Sequence, residues 1–284
     1  MVYQICETLL MKTFYKTIVL SDIHLGIKAS KAKEVVNFLK YHKCETLILN
    51  GDIIDGWQLR KSGKWRKQHS NFFKHIIGLT SKKKCQIIYL RGNHDDFLEE
   101  ILPLKIGNFS IKKHYTHFGV NKKYFVTHGD IFDNVTTKLK WIAKLGDVGY
   151  TFLLWLNRHY NNYREKRGLP YYSLSQVVKA KVKSAVSFIG DYENELVKVA
   201  KARKCSGIIC GHIHQPAIKM IDGIEYLNSG DWVESLTALV EDTEGNWKII
   251  YYQEWLDEHT KKQEEKNKNN SISEILPKGV VVKE

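Results

Sequence analysis

The 284-residue chain is long enough for one large domain, and its 43% apolar content suffices for a buried core. Its 44 Lys and Arg against 31 Asp and Glu leave a net charge of +13, which directs attention to anionic partners: nucleic acid, a membrane surface or a phosphorylated substrate. Five cysteines without a CxxC pair argue against a disulfide framework or a zinc ribbon, and the longest apolar stretch, Phe152 to Leu156, is far too short to span a bilayer.

The N-terminus lacks a secretory pattern, so the chain is expected to be cytoplasmic. Residues 1–15 read as an N-terminal extension, with Met11 an alternative start. A short β-branched run from Lys16 to Leu20 then breaks at Ser21-Asp22, as a buried strand does when it delivers polar residues at its end. The same event recurs four times. Glu45 to Asn50 stops at Gly51-Asp52, Gln86 to Leu90 at Arg91-Gly92-Asn93-His94, Lys123 to Val126 at Thr127-His128-Gly129, and Gly207 to Cys210 at Gly211-His212.

Between the first strands, Lys31 to His42 and Asn71 to Ser81 carry apolar residues at helical spacing. Strand and helix alternate, which predicts an α/β sheet. After Pro216 the strands are short and turn-bounded (Ile218 to Ile221, Ile224 to Asn228, Leu236 to Glu241, Lys248 to Gln253), so this part reads as an antiparallel layer. The prediction is an α/β sandwich over 16–257, two packed sheets with helices outside. A helical, aromatic insertion over 137–195 interrupts it as a lid, and the polar tail 258–284 is expected to be disordered.

In chain order the strand-end loops read Asp22-x-His24, Gly51-Asp52-x-x-Asp55, Gly92-Asn93-His94-Asp95, His128-Gly129-Asp130 and Gly211-His212-x-His214. Loops at strand C-termini of an open sheet converge on one crevice. Carboxylate and amide oxygens mixed with imidazoles suit manganese, iron or zinc better than calcium or magnesium. Singly, each motif would read as a turn or cap. Five in order, each closing a predicted strand, point to a metal site.

These motifs resemble those of the calcineurin-like metallophosphoesterase family, from Asp22 to His214 and in family order. Ser21-Asp22-Ile23-His24-Leu25, His212-Ile213-His214-Gln215-Pro216 and Ser229-Gly230-Asp231-Trp232 are similar to the UDP-2,3-diacylglucosamine diphosphatase-like members, enzymes of lipid A biosynthesis. The resemblance implies a four-layer sandwich holding two divalent metal ions, manganese before iron or zinc. It implies Asp22, His24 and His214 as ligands of one ion, Asn93, His128 and His212 of the other, and Asp52 as the bridge. It gives His94 the role of stabilising the transition state or protonating the leaving group, oriented by Asp55. The diphosphatase subgroup usually has Arg where this chain has His94, whereas the broader family has His. The substrate implied is therefore UDP-2,3-diacylglucosamine or a related nucleotide-linked compound, with nucleotides or phosphoproteins as the alternative. A non-catalytic scaffold is a third reading, against which the full set of ligand-type residues speaks.

Asp95, Asp96, Asp130 and Asp133 read as supporting hydrogen-bond acceptors or caps, and His42, His69, His75, His114, His117, His159 and His259 as structural or surface residues. Positive charge collects in Gln58 to Lys84, with nine Lys or Arg and no acid, and in Thr137 to Lys183, with ten against two acids. Either stretch is an ordinary solvated face of a Lys-rich chain, or a basic flap over the site. As a flap, 137–183 would meet an anionic membrane surface on the inner face of the inner membrane. The expected partner is a phosphorylated or lipid-linked small molecule, and nucleic acid is not expected.

Overall fold

The computed structural model describes residues 12–81, 85–130, 160, 163–164, 166–169 and 189–275. Strands β1 (Thr13–Leu20), β2 (His42–Asn50) and β3 (Gln86–Leu90) alternate with helices α1 (Ala32–Tyr41), α2 (Gly56–Lys61) and α3 (Lys67–Ser81). A 3-10 turn (Asp96–Ile101) leads to the short strands β4 (Leu104–Ile106), β5 (Phe109–Lys112) and β6 (Tyr115–Phe118), then to β7 (Lys123–Val126). Helix α4 is described over 189–202. It precedes β8 (Gly207–Cys210), β9 (Ala217–Ile221), β10 (Ile224–Asn228), β11 (Thr237–Glu241), β12 (Trp247–Tyr251) and α5 (Tyr252–Ile275).

Seven strands form one sheet in the order β12-β11-β1-β2-β3-β5-β4, and five form a second in the order β6-β7-β8-β10-β9. The first four predicted strands and the fifth are all present, and β1-β2, β2-β3, β7-β8 and β8-β10 pair in parallel. Successive side chains of a strand face opposite ways, which explains why these runs are apolar throughout. Val19, Ile48 and Ile88 pack between the sheets with Val126, Ile209 and Leu227, whereas Ile18, Leu20, Leu47, Leu49 and Ile87 pack on the helical side with Val35, Phe38 and Phe72. The outer face of the second sheet packs on α4 through Phe125, Ile208 and Tyr226 against Tyr192, Leu196 and Ala200. The result is four layers, helix on sheet on sheet on helix, as predicted.

Two readings change. The strands after Pro216 are not one antiparallel layer: β9 and β10 join the second sheet, with β10 parallel to β8, while β11 and β12 extend the first beside β1. Both sheets had to be completed, and local turn signals do not say which sheet a hairpin will join. Helix α5 runs to Ile275, through much of the tail for which composition predicts no structure. Its first turns dock by Tyr252, Trp255 and Leu256 on the helical-side core, and the Glu-, Lys- and Gln-rich continuation consists of good helix formers. Residues 1–11, 131–136 with Asp133, and most of 137–195 with His159 lie outside the described residues. No helix among the described residues is long and apolar enough to cross a membrane.

Candidate metal centre

All five motif loops leave the C-terminal ends of β1, β2, β3, β7 and β8 and meet over one edge of the inter-sheet core. The loops turn abruptly. Asp22 (φ 53°), His24 (φ 50°), Asp52 (φ 53°), His212 (φ 69°) and His214 (φ 55°) all take the left-handed backbone region. Such conformations cost roughly 1–3 kcal/mol each and persist where surrounding structure over-determines them, most often at functional sites. Here the loops are locked to one another: Asp22 N–H donates to Gly51 O (3.1 Å), His24 N–H to Asp52 O (2.9 Å) and Trp232 N–H to Asp22 O (3.1 Å). Gly51 (φ 79°) lies so close that a Cβ would enter the His128 ring, which is why the second motif needs glycine there.

Side chains of Asp22, His24 and His214 converge as one group and those of Asp52, His128 and His212 as a second, while His24, Asp55 and His94 form a third that shares His24. Asp52 Oδ2 faces His128 Nε2 at 3.3 Å, His24 Nε2 at 3.8 Å and His94 Nε2 at 4.0 Å. Asp22 Oδ1 faces His214 Nε2 at 3.2 Å, His24 Nε2 at 3.9 Å and His128 Nε2 at 4.0 Å. Asp22, Asp52 and His128 are almost wholly shielded from solvent. Asn93 is buried, and its Oδ1 accepts no hydrogen bond among the described residues.

Imidazole tautomers bear on what this cluster can hold. His128 Nδ1–H donates to Asn50 O at 2.9 Å, and His24 Nδ1 lies 3.1 Å from Asp55 Oδ2, so in each neutral ring the lone pair is on Nε2, aimed at the carboxylates. Lone pairs facing carboxylate oxygens repel unless a positive charge lies between them. Protons are one source of that charge. Burial alone would lower the His128 pKa, but Asp52 and Asp22 raise it well above the usual range, and Asp22 likewise lifts His214 to about 9. Burial would raise the two carboxyls, yet His214 and His128 hold Asp22 at about 2, and His128 with His24 holds Asp52 well below the ordinary value. Cations coordinated by the same atoms are the other source, and Asn93 Oδ1 is a donor that only a cation or a hydrogen-bond donor can satisfy. The donor set therefore fits divalent metal ions.

Supporting residues surround the cluster. Asp55 caps α2 by accepting from Gln58 N–H (2.8 Å) and places one oxygen 3.1 Å from each of His24 and His94, so it orients His24 as well as His94, a pairing the motif spacing did not suggest. Asp95 accepts from Ile53 N–H (3.0 Å), Tyr89 O–H (2.7 Å) and Gly92 N–H, tying the second loop to the third. Burial, reinforced by Asp52, pushes its carboxyl up to about 6. Asp130 pairs with Arg91, joining the third loop to the fourth, and Asp96 accepts from Trp57 Nε1 (3.4 Å). Trp57 and Tyr192, whose hydroxyl closes on Gly129, had no signal in the motifs, and Arg91 stood in one without a sign of its pairing to Asp130, since contacts across loops leave no spacing to read. His117 is structural as expected: it is buried between the sheets, 3.1 Å from Thr17 Oγ1 and 3.2 Å from Glu241.

A two-sheet sandwich that gathers carboxylates, an amide and imidazoles at the ends of parallel strands has the make-up of a metal-dependent hydrolase. The chain belongs to the calcineurin-like phosphoesterase family, whose model matches residues 15–216. Solved structures similar to it include an archaeal phosphodiesterase (16% identity over 82% of this chain and 98% of that one, TM-score 0.39) and Yfce, a phosphoesterase from E. coli (13%, 83% and 98%, TM-score 0.40). A hypothetical protein from Pyrococcus horikoshii is similar at 12% identity over 89% and 94%, with a TM-score of 0.44. No curated protein sequence matches the chain.

Proposed function

We propose that this protein hydrolyses a phosphoester or diphosphate bond with two divalent cations, manganese before iron or zinc. The supporting observation is the convergence of buried Asp52 Oδ2 and Asp22 Oδ1 on the Nε2 atoms of four histidines. Asp22, His24 and His214 would hold one cation and Asn93, His128 and His212 the other, with Asp52 shared. Cations bound there would supply positive charge for the phosphate oxygens and acidify a water. Shared by two such cations, the Asp52 carboxylate would offset their repulsion. His94 points Nε2 into the cluster while Nδ1 lies against Asp55, so a proton carried on Nε2 can pass to the leaving oxygen. Asp55, held well below the ordinary carboxylate range despite burial by its contacts to His24 and His94, stays ionised throughout and keeps both rings in place.

The substrate proposed is UDP-2,3-diacylglucosamine or a related nucleotide-linked lipid precursor. It rests on the motif similarities and on Ser229 to Trp232, which pack under the first motif through Ser21 Oγ to Ser229 Oγ (2.7 Å) and the Trp232 N–H bond to Asp22 O. The basic stretch 137–183 would then face an anionic membrane surface at the cytoplasmic side. His94 favours the second reading, a broader phosphodiesterase on nucleotides or phosphoproteins, because His donates a proton where Arg only stabilises charge. Thin-layer assay of the manganese-supplemented protein against UDP-2,3-diacylglucosamine and a cyclic nucleotide separates the two. Release of UMP supports the first, and hydrolysis of the cyclic nucleotide alone supports the second. Activity that survives Asp52→Ala on every ester would sink both.

A further inference from the structure

Trp57 is the second residue of α2, two positions after the cap Asp55. Its ring centroid lies 4.4 Å from that of His94 at an interplanar angle of 34°, and its Nε1–H reaches toward Asp96 Oδ2 at 3.4 Å. Gly56 permits this approach: a Cβ there would lie 2.9 Å from His94 O and 2.9 Å from Phe97 Cδ1, so α2 sits directly on the 94–97 turn. Despite these contacts Trp57 is 40% exposed, and Phe97 beside it is 38% exposed. Exposed aromatics scattered singly need no explanation. Trp65, at 44%, is such a case: it donates to Ser70 Oγ (2.9 Å) and stacks on Phe73. Trp57 differs in that its ring lies against the candidate proton donor.

Charge around it narrows the chemistry of what the indole can meet. Arg60 lies three residues on, on the same helical face, and is 3.9 Å from Asp96 with both side chains largely exposed, a pairing worth little that leaves the guanidinium able to meet a phosphate. An acyl chain would gain little from an indole flanked by a carboxylate and a guanidinium. A planar base gains stacking on the ring and polar partners at its edges, and such stacking is sequence-tolerant because every base presents a π-face. We propose that Trp57 is the platform on which the base of a nucleotide substrate stacks, beside His94 and with Arg60 toward a phosphate. The proposal rests on the phosphoesterase reading above and assigns the nucleotide half of the substrate to the α2 rim.

The test is calorimetric binding of UMP and of ribose 5-phosphate to the manganese-loaded full-length protein and to Trp57→Ala and Trp57→Phe, with hydrolysis of bis(p-nitrophenyl) phosphate followed alongside. The expected result is a preference for UMP on the order of tenfold. Trp57→Ala should abolish it without weakening ribose 5-phosphate, and Trp57→Phe should restore most of it. Preference intact in Trp57→Ala, no preference in the parent, or equal loss for both ligands overturns the platform, the last by making Trp57 only a shelf for His94. If the diester is hydrolysed in those cases, the platform alone has failed. If it is not hydrolysed at all, the phosphoesterase reading has failed and the platform with it.

Discussion

Asp55 performs two tasks that a pair of substitutions can separate. One oxygen caps α2 at Gln58 N–H (2.8 Å) and lies 3.1 Å from His94 Nδ1, and the other lies 3.1 Å from His24 Nδ1. Asp55→Asn keeps an oxygen for the cap but removes the charge that orders the two imidazoles. Asp55→Ala removes both. A cap is worth about 1 kcal/mol, and loss of a carboxylate behind a metal-binding histidine typically lowers metal affinity about 10- to 100-fold. We therefore expect Asp55→Asn to unfold in urea within about 0.5 kcal/mol of the parent and to bind manganese about 10- to 100-fold more weakly, measured by competition with a chelating dye. Asp55→Ala should show the same affinity loss and about 1 kcal/mol less stability. Unchanged manganese affinity in Asp55→Asn would refute the claim that Asp55 acts through His24.

Gly51→Ala should lose about 2 kcal/mol or more of stability, from the left-handed backbone and from the methyl forced into the His128 ring, and should bind manganese weakly; urea unfolding and the same competition assay test both. His42 is stacked on Phe38 with ring centroids 4.0 Å apart, and burial, with the Lys248 charge, pushes its pKa down to about 4 against the pull of the Phe38 carbonyl. Above about pH 6.5 the ring is neutral folded or unfolded and contributes no pH dependence; as pH falls from there toward 4 the unfolded chain takes the proton first, so stability should fall by about 3 kcal/mol. His42→Phe should flatten that part of the urea-denaturation profile, and an identical acid slope in the variant would show that His42 is not its source.

The parallel strands were legible because both faces are buried, which makes Leu47 to Leu49 and Ile87 to Leu90 continuous apolar runs with unmistakable polar ends. For the same reason the motif loops stood out, and the resemblance to the metallophosphoesterase family singled out Asp22, His24, Asp52, Asn93, His128, His212 and His214 among their residues. Helix α2 and strands β4, β5 and β6 were missed because so few residues display no period and, unlike the equally short β7 and β8, they lack a buried apolar run ending in a polar motif; on the edge strand β6 the apolar Phe118 is 70% exposed. Positive φ at Asp22 or His214 has no sequence signal comparable to glycine's, since it is imposed by the neighbouring loops. The same holds for Asp55 reaching back to His24 and for Trp57 lying on His94: both depend on how α2 docks, and only the assembled sheet edge decides that.

The proposed activity requires that the strand-end cluster hold a pair of cations. That requirement is tested most directly by the metal content of the purified protein after reconstitution with manganese and removal of free metal, measured by plasma mass spectrometry beside Asp52→Ala. About two ions per chain are expected in the parent and one or fewer in the variant, because the shared carboxylate would serve both positions. No retained metal in the parent, or the same content in both proteins, would contradict it.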